Sequence, residues 1–193
     1  MKDLLTPIDR ELIKAELTDD KLLRTTNKAG NLIYLTTASE SPNIMKEIAR
    51  IRELAFRLCG AGSGKVFDMD EFDWAERPYK QLSVWDPQNE EIVGGYRLIF
   101  GNEVKINENG QPDLVTAGMY KFSEKFIKEY LPSTIELGRS FVHPDYQATK
   151  MGSKSLYSLD NLWDGLGAIT VLRPDMKYFF GKVTVYPSYD EVA

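Results

Sequence analysis

Apolar residues along this chain recur at two spacings, and the switches between them mark out the elements. The stretch "SPNIMKEIARIRELAFRLCG", residues 41–60, has apolar positions at helical spacing, Ser41 as a candidate N-cap, Pro42 at the first helical position and Gly60 as a stop. It is the clearest helix in the sequence. Before it, a charged arm over residues 1–30, read as one amphipathic helix, leads into the strand pattern "NLIYLTTAS" at 31–39. After it comes a loop rich in Gly, Ser and Asp, "AGSGKVFDMDEFDWAERPYK". Then "QLSVWDPQNEEIVGGYRLIF" reads as two strands joined at Asp86-Pro87-Gln88-Asn89, a hairpin and so antiparallel pairing. "AGMYKFSEKFIKEYL" predicts a helix and a strand follows Pro132. "SKSLYSLDNLWDGLGAITVL" predicts a further helix, and "YFFGKVTVYPSY" a final strand. The order β-α-β-β-α-β-α-β predicts a mixed α/β (α+β) sheet, in an arm of residues 1–30 and one domain over 31–193.

Composition narrows the field. With 193 residues, 42% of them hydrophobic and 27% charged, the chain can bury a continuous core. A formal charge of −5 argues against a general nucleic-acid binder, which needs clustered Lys and Arg to displace counterions. The single cysteine, Cys59, excludes an internal disulfide and a cysteine-based zinc site, and is expected as a small buried residue. No metal site is expected. No apolar run approaches the roughly 18 residues of a membrane span, and the charged N-terminus does not read as a signal peptide. The expectation is a soluble protein, or one resting on a membrane surface.

One strand does not fit the ordinary pattern. In "TIELGRSFVHPDYQ", Glu136 and Arg139 stand three residues apart, where a half-buried strand would carry Val, Ile or Thr. Strand positions three apart face opposite sides unless a bulge intervenes, and bulges gather beside active sites. Buried ions are costly unless paired, so Arg52, Arg97 and Arg139 with Asp70, Asp73 and Glu136 suggest one mutually satisfied network. It would clamp the 60–80 loop onto the sheet, or form the amino-acid end of a site where an Arg grips a carboxylate.

Taken in order, Arg52 and Phe56, Asp70 and Asp73, Arg97 in "GGYRLIF", then Glu136 and Arg139 resemble the sparse charged pattern of the acyl-carrier-protein-dependent branch of the GNAT superfamily. That branch holds the autoinducer synthases and the hemolysin-like ornithine- or glycine-lipid N-acyltransferases of bacteria. The resemblance implies a GNAT-like fold with a mixed, mostly antiparallel sheet flanked by helices. It implies an N-acyltransferase that moves a long (3-hydroxy)acyl chain from acyl carrier protein to the amine of ornithine or glycine, an early step towards aminolipids. Autoinducer synthesis, or a non-catalytic acyl- or carrier-binding module, are the alternatives.

The resemblance also implies roles. Glu136 would be the base, with His143 as a second candidate whose plainer reading is a turn residue before Pro144. The oxyanion donor would be a backbone N–H around Phe141 or Val142, and Tyr186 or Tyr189 would protonate the departing thiolate. Arg52, Asp70, Asp73, Arg97 and Arg139 would serve the substrate, and Gln147, Lys150, Gly152 and Ser153 the donor. At 147–152 typical CoA users carry Arg/Gln-x-x-Gly-x-Gly/Ala, whose amides cradle a pyrophosphate. Lys150 stands where the first of those glycines belongs, which favours acyl carrier protein over acyl-CoA, with neither held as a resident cofactor. Lys150, Lys154, Arg173, Lys177 and Lys182 would supply a basic docking patch, and the helix around Trp163 and Leu166 a core face that also lines an acyl tunnel. The family fold normally adds a helix and strands beyond the point where this chain stops, so the expectation is a shortened version of a longer protein or a sheet completed by an unusual route. Such an enzyme would work in the cytoplasm, with peripheral contact at the inner face of the membrane.

Overall fold

The computed structural model describes residues 2–147 and 156–183. In chain order its main elements are α1 (Arg10–Glu16), β1 (Leu22–Thr25), β2 (Leu32–Thr36), α2 (Pro42–Leu58), β3 (Lys80–Asp86), β4 (Glu91–Phe100), β5 (Thr134–Val142), α3 (Ser158–Leu172) and β6 (Tyr178–Phe180). The strands form one sheet in sequence order, antiparallel at every step except the parallel pair β5–β6.

Alternation along the strands sends neighbouring residues to opposite faces, and each face receives a helix. Ile33, Val84, Val93 and Leu98 pack with Leu162, Leu166 and Ile169 of α3. Their neighbours Tyr34, Trp85 and Ile92 pack with Ile44, Ile48, Ile51 and Ala55 of α2. This is the mixed, mostly antiparallel α/β fold that the sequence predicts. Among the described residues no helix is long and apolar enough to cross a membrane.

Helix α2 begins at Pro42 after Ser41 and ends at Leu58, with Gly60 at φ +76° just beyond. The Ser41 hydroxyl makes no capping bond; the Glu16 carboxylate, at the end of α1, accepts from the backbone N–H groups of Asn43 and Ile44 at 3.0 and 2.9 Å. An anion at a helix N-terminus satisfies donors that have no partner within the helix.

Three expectations about elements are corrected. Residues 1–30 do not form one helix: α1 spans seven residues, and Leu22–Thr25 pairs with β2 as the sheet's edge strand. The expected helix over 117–131 is reduced to a 3-10 turn at Val115–Gly118 and a π turn at Phe126–Tyr130. Between them the Gln111 side chain accepts from Phe122 N–H at 2.8 Å and donates to its carbonyl at 3.2 Å, taking the groups that a continuous helix would need. Finally, Cys59 is exposed, because α2 ends beneath it.

Candidate active site

Opposite Tyr96 of β4 the partner strand β5 carries one residue too many: Arg97 pairs with Gly138 and Gly95 with Phe141, leaving Arg139 and Ser140 against a single residue. Arg139 takes up the surplus at φ +50°, a left-handed conformation unusual for a side chain of this size. Gly94 lets the strands close up beyond the bulge, since a Cβ there would lie 2.5 Å from the Phe141 carbonyl oxygen. The bulge resets the alternation. Glu136 and Arg139 therefore line one cavity of about 120 Å³, together with Tyr79, Arg97, Thr116 and Lys182.

Beside that cavity lies the expected network with one member exchanged: Asp68 is its third acid, and among the described residues Glu136 pairs with none of the three arginines, because its oxygens are taken by Tyr79 and Thr116. Arg52 is buried and pairs with Asp68 at 3.2 Å and with Asp73 at 3.6 Å, and it also donates to the Asp68 carbonyl and to Gln81. Arg97, also buried, donates to Asp70 at 2.7 Å and to Asp73 at 3.3 Å. Arg139 reaches Asp68 at 3.2 Å and Asp70 at 3.3 Å, but its side chain stays 35% exposed. Three guanidinium groups thus face three carboxylates. Asp70 and Asp73 also cap the short helical turn Glu71–Asp73 reciprocally, which ties the network to the loop that carries it.

Burial depresses the Arg52 pKa against the pull of Asp68 and Asp73. For Arg97 burial works in the same sense, but Asp70 and Asp73 outweigh it and the pKa is raised. Burial would raise Asp70; Arg97 and Arg139 outweigh it and hold its carboxyl below the usual range.

Glu136, 4% exposed, accepts from the Tyr79 hydroxyl on one oxygen and from Thr116 N–H at 3.2 Å on the other. Tyr79 in turn accepts from Val115 N–H at 3.0 Å, and the Arg97 guanidinium lies over its ring at 5.1 Å from the centroid. Burial, then the neighbouring Glu136 charge, pushes the Tyr79 hydroxyl pKa up, so it stays a proton donor to the carboxylate. Two further buried donors beside this cavity, the Arg97 Nε–H and the Thr116 hydroxyl, have no hydrogen-bond partner among the described residues.

Past the bulge the character changes. A second cleft of about 370 Å³, with no charged side chain among its described lining residues, is formed by Phe56, Cys59, Phe141, Val142, Gln147 and Leu159, among others. His143 N–H donates to the Val93 carbonyl at 2.8 Å, so the alternation of an antiparallel ladder turns Phe141 N–H towards β4 and Val142 N–H towards the other edge. On that edge, among the described residues, β6 pairs with Thr134–Glu136, and the Gln147 side chain donates to the Val142 carbonyl at 2.8 Å. Of the two oxyanion candidates, Val142 is the one whose N–H faces the cleft edge.

The structure thus gathers Arg52, Asp70, Asp73, Arg97, Glu136 and Arg139 at one end of the bulge, and Phe141, Val142 and Gln147 at the other. Lys150, Gly152, Ser153 and Lys154, with Tyr186 and Tyr189, lie outside the described residues. His143 caps the turn Pro144–Tyr146 through Nδ1, which accepts from Asp145 N–H, and it stands outside both cavities. Burial lowers its pKa. Of the expected basic patch, Lys150 and Lys154 lie outside the described residues, Arg173 is held by Asp175 at 2.9 Å and stacks over Phe100, Lys177 is exposed and Lys182 lines the charged cavity. Leu166 is core, but Trp163 is 65% exposed. Tyr79, Asp68 and Thr116 were not singled out from the sequence; Asp68 in "FDMDEFD" carried the one usable signal, a third acid beside two already chosen.

Comparison with known proteins finds a family and two relatives. A family profile described as an acetyltransferase (GNAT) domain matches residues 51–156. A glycine N(alpha)-acyltransferase of Phocaeicola vulgatus is 60% identical over 189 residues, covering 98% of this chain and 58% of that protein. A protein of the same name from Bacteroides thetaiotaomicron is 59% identical, over 98% of this chain and 56% of its own length. The chain therefore spans a little over half the length of these relatives.

Proposed function

The chain belongs to the GNAT acetyltransferase family, and from that premise we propose that it is part of an N-acyltransferase joining a long acyl chain, delivered as a thioester, to the amine of glycine. The observation that carries the reading is the pair of cavities meeting at the β5 bulge: a small charged one containing Glu136 ends at Arg139, and an apolar one begins at Ser140. A volume of about 120 Å³ equals roughly four waters, room for an acceptor of glycine's size. The names of the two relatives point to the same amino acid.

In this reading an ammonium group must lose a proton before it attacks the thioester carbonyl, and Glu136 accepts that proton directly or through a water. The C–N bond forms as the C–S bond breaks, and the thiolate leaves on the phosphopantetheine arm. Val142 N–H stabilises the oxyanion, and the arm and acyl chain occupy the apolar cleft. Tyr189 is the proposed proton donor to the thiolate. Acyl carrier protein is the proposed donor because Lys150 replaces a glycine of the pyrophosphate cradle, and acyl-CoA is the competing one. The product would enter aminolipid synthesis in the cytoplasm, at the inner face of the membrane.

The test is single-turnover acyl transfer to glycine by Glu136→Gln across pH, with the same acyl group on carrier protein and on CoA. The variant keeps the shape but loses the basicity, so the chemical step slows about 10²–10⁴-fold while donor binding is unchanged. A rate within a few-fold of the parent at neutral pH would overturn the assignment of the base.

A further inference from the structure

We propose that Lys182 reads the carboxylate of the acceptor, making it a specificity-determining residue of the polar cavity; this rests on the acyl-transfer reading. The argument is one of charge balance. Arg52, Arg97 and Arg139 are matched by Asp68, Asp70 and Asp73, three against three. Two groups lining the same cavity stand outside that balance: Glu136, whose hydrogen bonds come from neutral donors, and Lys182. Among the described residues Lys182 has no carboxylate partner; its Nζ rests 3.7 Å from Met119 Sδ. One negative and one positive charge left over in a single small cavity are the complement of a zwitterion, with the amine at Glu136 and the carboxylate at Lys182.

The backbone explains how an exposed lysine comes to be there. A Cβ on Gly181 would lie 2.7 Å from the Leu137 carbonyl oxygen, so the chain leaving β6 runs directly against β5 beside the cavity. Lys182 then reaches from that segment to Met119, just past the turn Val115–Gly118 whose N–H groups hold Glu136 and Tyr79. The Arg97 Nε–H and Thr116 hydroxyl beside the cavity, unpartnered among the described residues, are further donors suited to an anionic ligand. Arg139 is already shared between two carboxylates and is the weaker candidate.

The experiment compares glycine with glycinamide, which keeps the amine and removes the carboxylate charge, as acceptors for the parent and for Lys182→Gln. Lys182 is exposed and its replacement leaves the fold intact, so the variant reports on recognition. Glycine KM should rise about 10- to 100-fold, the range of a charge-assisted hydrogen bond, with kcat at saturating glycine within a few-fold. Glycinamide kinetics should not change, and Lys182→Arg should restore part of the preference. An unchanged glycine-to-glycinamide ratio in Lys182→Gln would overturn the proposal. Calorimetric titration of glycine without donor separates the two failures. Glycine binding lost in the variant, with no product from the parent, keeps the carboxylate site and removes the acyl-transfer reading. Equal binding in both, or none in the parent, removes the site.

Discussion

The two halves of β5 differ in almost every respect. Thr134 to Gly138 runs with β4 on one side, with β6 beside its first three residues, and carries a buried glutamate into a cavity lined by charged side chains. Among the described residues Ser140 to Val142 has only β4 beside it and borders a cleft three times as large, about 370 against about 120 Å³. The first half lies beside a network of paired ions, and the second borders a cleft whose described lining carries no charge. A small, fully specified acceptor suits the first kind of site. A long, conformationally variable chain suits the second.

The contrast breaks most sharply at Arg97. Arg97→Ala leaves Asp73 without one of its cations and Asp70 with only Arg139, so urea unfolding should lose about 3–5 kcal/mol, the usual cost of orphaning a buried ion. A loss below about 1 kcal/mol would mean that the network is solvated after all.

Acid provides a smaller test of the same half. Asp70 is depressed below its ordinary value of 3.8 in the folded state, so the unfolded chain binds its proton first. Its contribution to stability is complete above that value and is lost as pH falls through the folded pKa. Asp70→Asn should flatten the fall in unfolding free energy below pH 3.8, while stability relative to the parent converges as both are acidified.

The smallest effect belongs to the apolar half. Leu159 lines the cleft yet is 61% exposed, so Leu159→Ser should leave thermal stability within about 0.5 kcal/mol. Donor KM should rise a few-fold, more for longer acyl chains, and glycine KM should not move. A change confined to glycine would show that the two cavities are not separate in function.

The charged half was also the more legible in the sequence. Isolated ions among apolar residues must find partners, so Arg52, Asp70, Asp73, Arg97 and Arg139 could be grouped from the sequence, although Glu136 was grouped with them and stands apart, and the three-residue spacing of Glu136 and Arg139 left opposite faces or a bulge, of which the structure has the bulge. Tyr79 was not legible, because an aromatic at the start of a strand is usually packing and only Glu136 gives its hydroxyl a purpose. Thr116 escaped for a related reason: it contributes a backbone N–H, which every residue except proline has. The lost helix at 117–131 has its cause in Gln111, several residues upstream, beyond the reach of a local pattern. The edge strand Leu22–Thr25 was hidden among charges, since an edge strand can leave Arg24 in solvent.

The position of Cys59 has a practical side. It is the single thiol of the chain, it is exposed, and it borders the apolar cleft just after α2 ends. A thiol-reactive fluorophore would therefore attach at one place without any engineered cysteine, at the mouth of the cleft and away from the ion network. Its emission would follow filling and emptying of the cleft in real time, and competing ligands could be ranked by how far they slow its attachment.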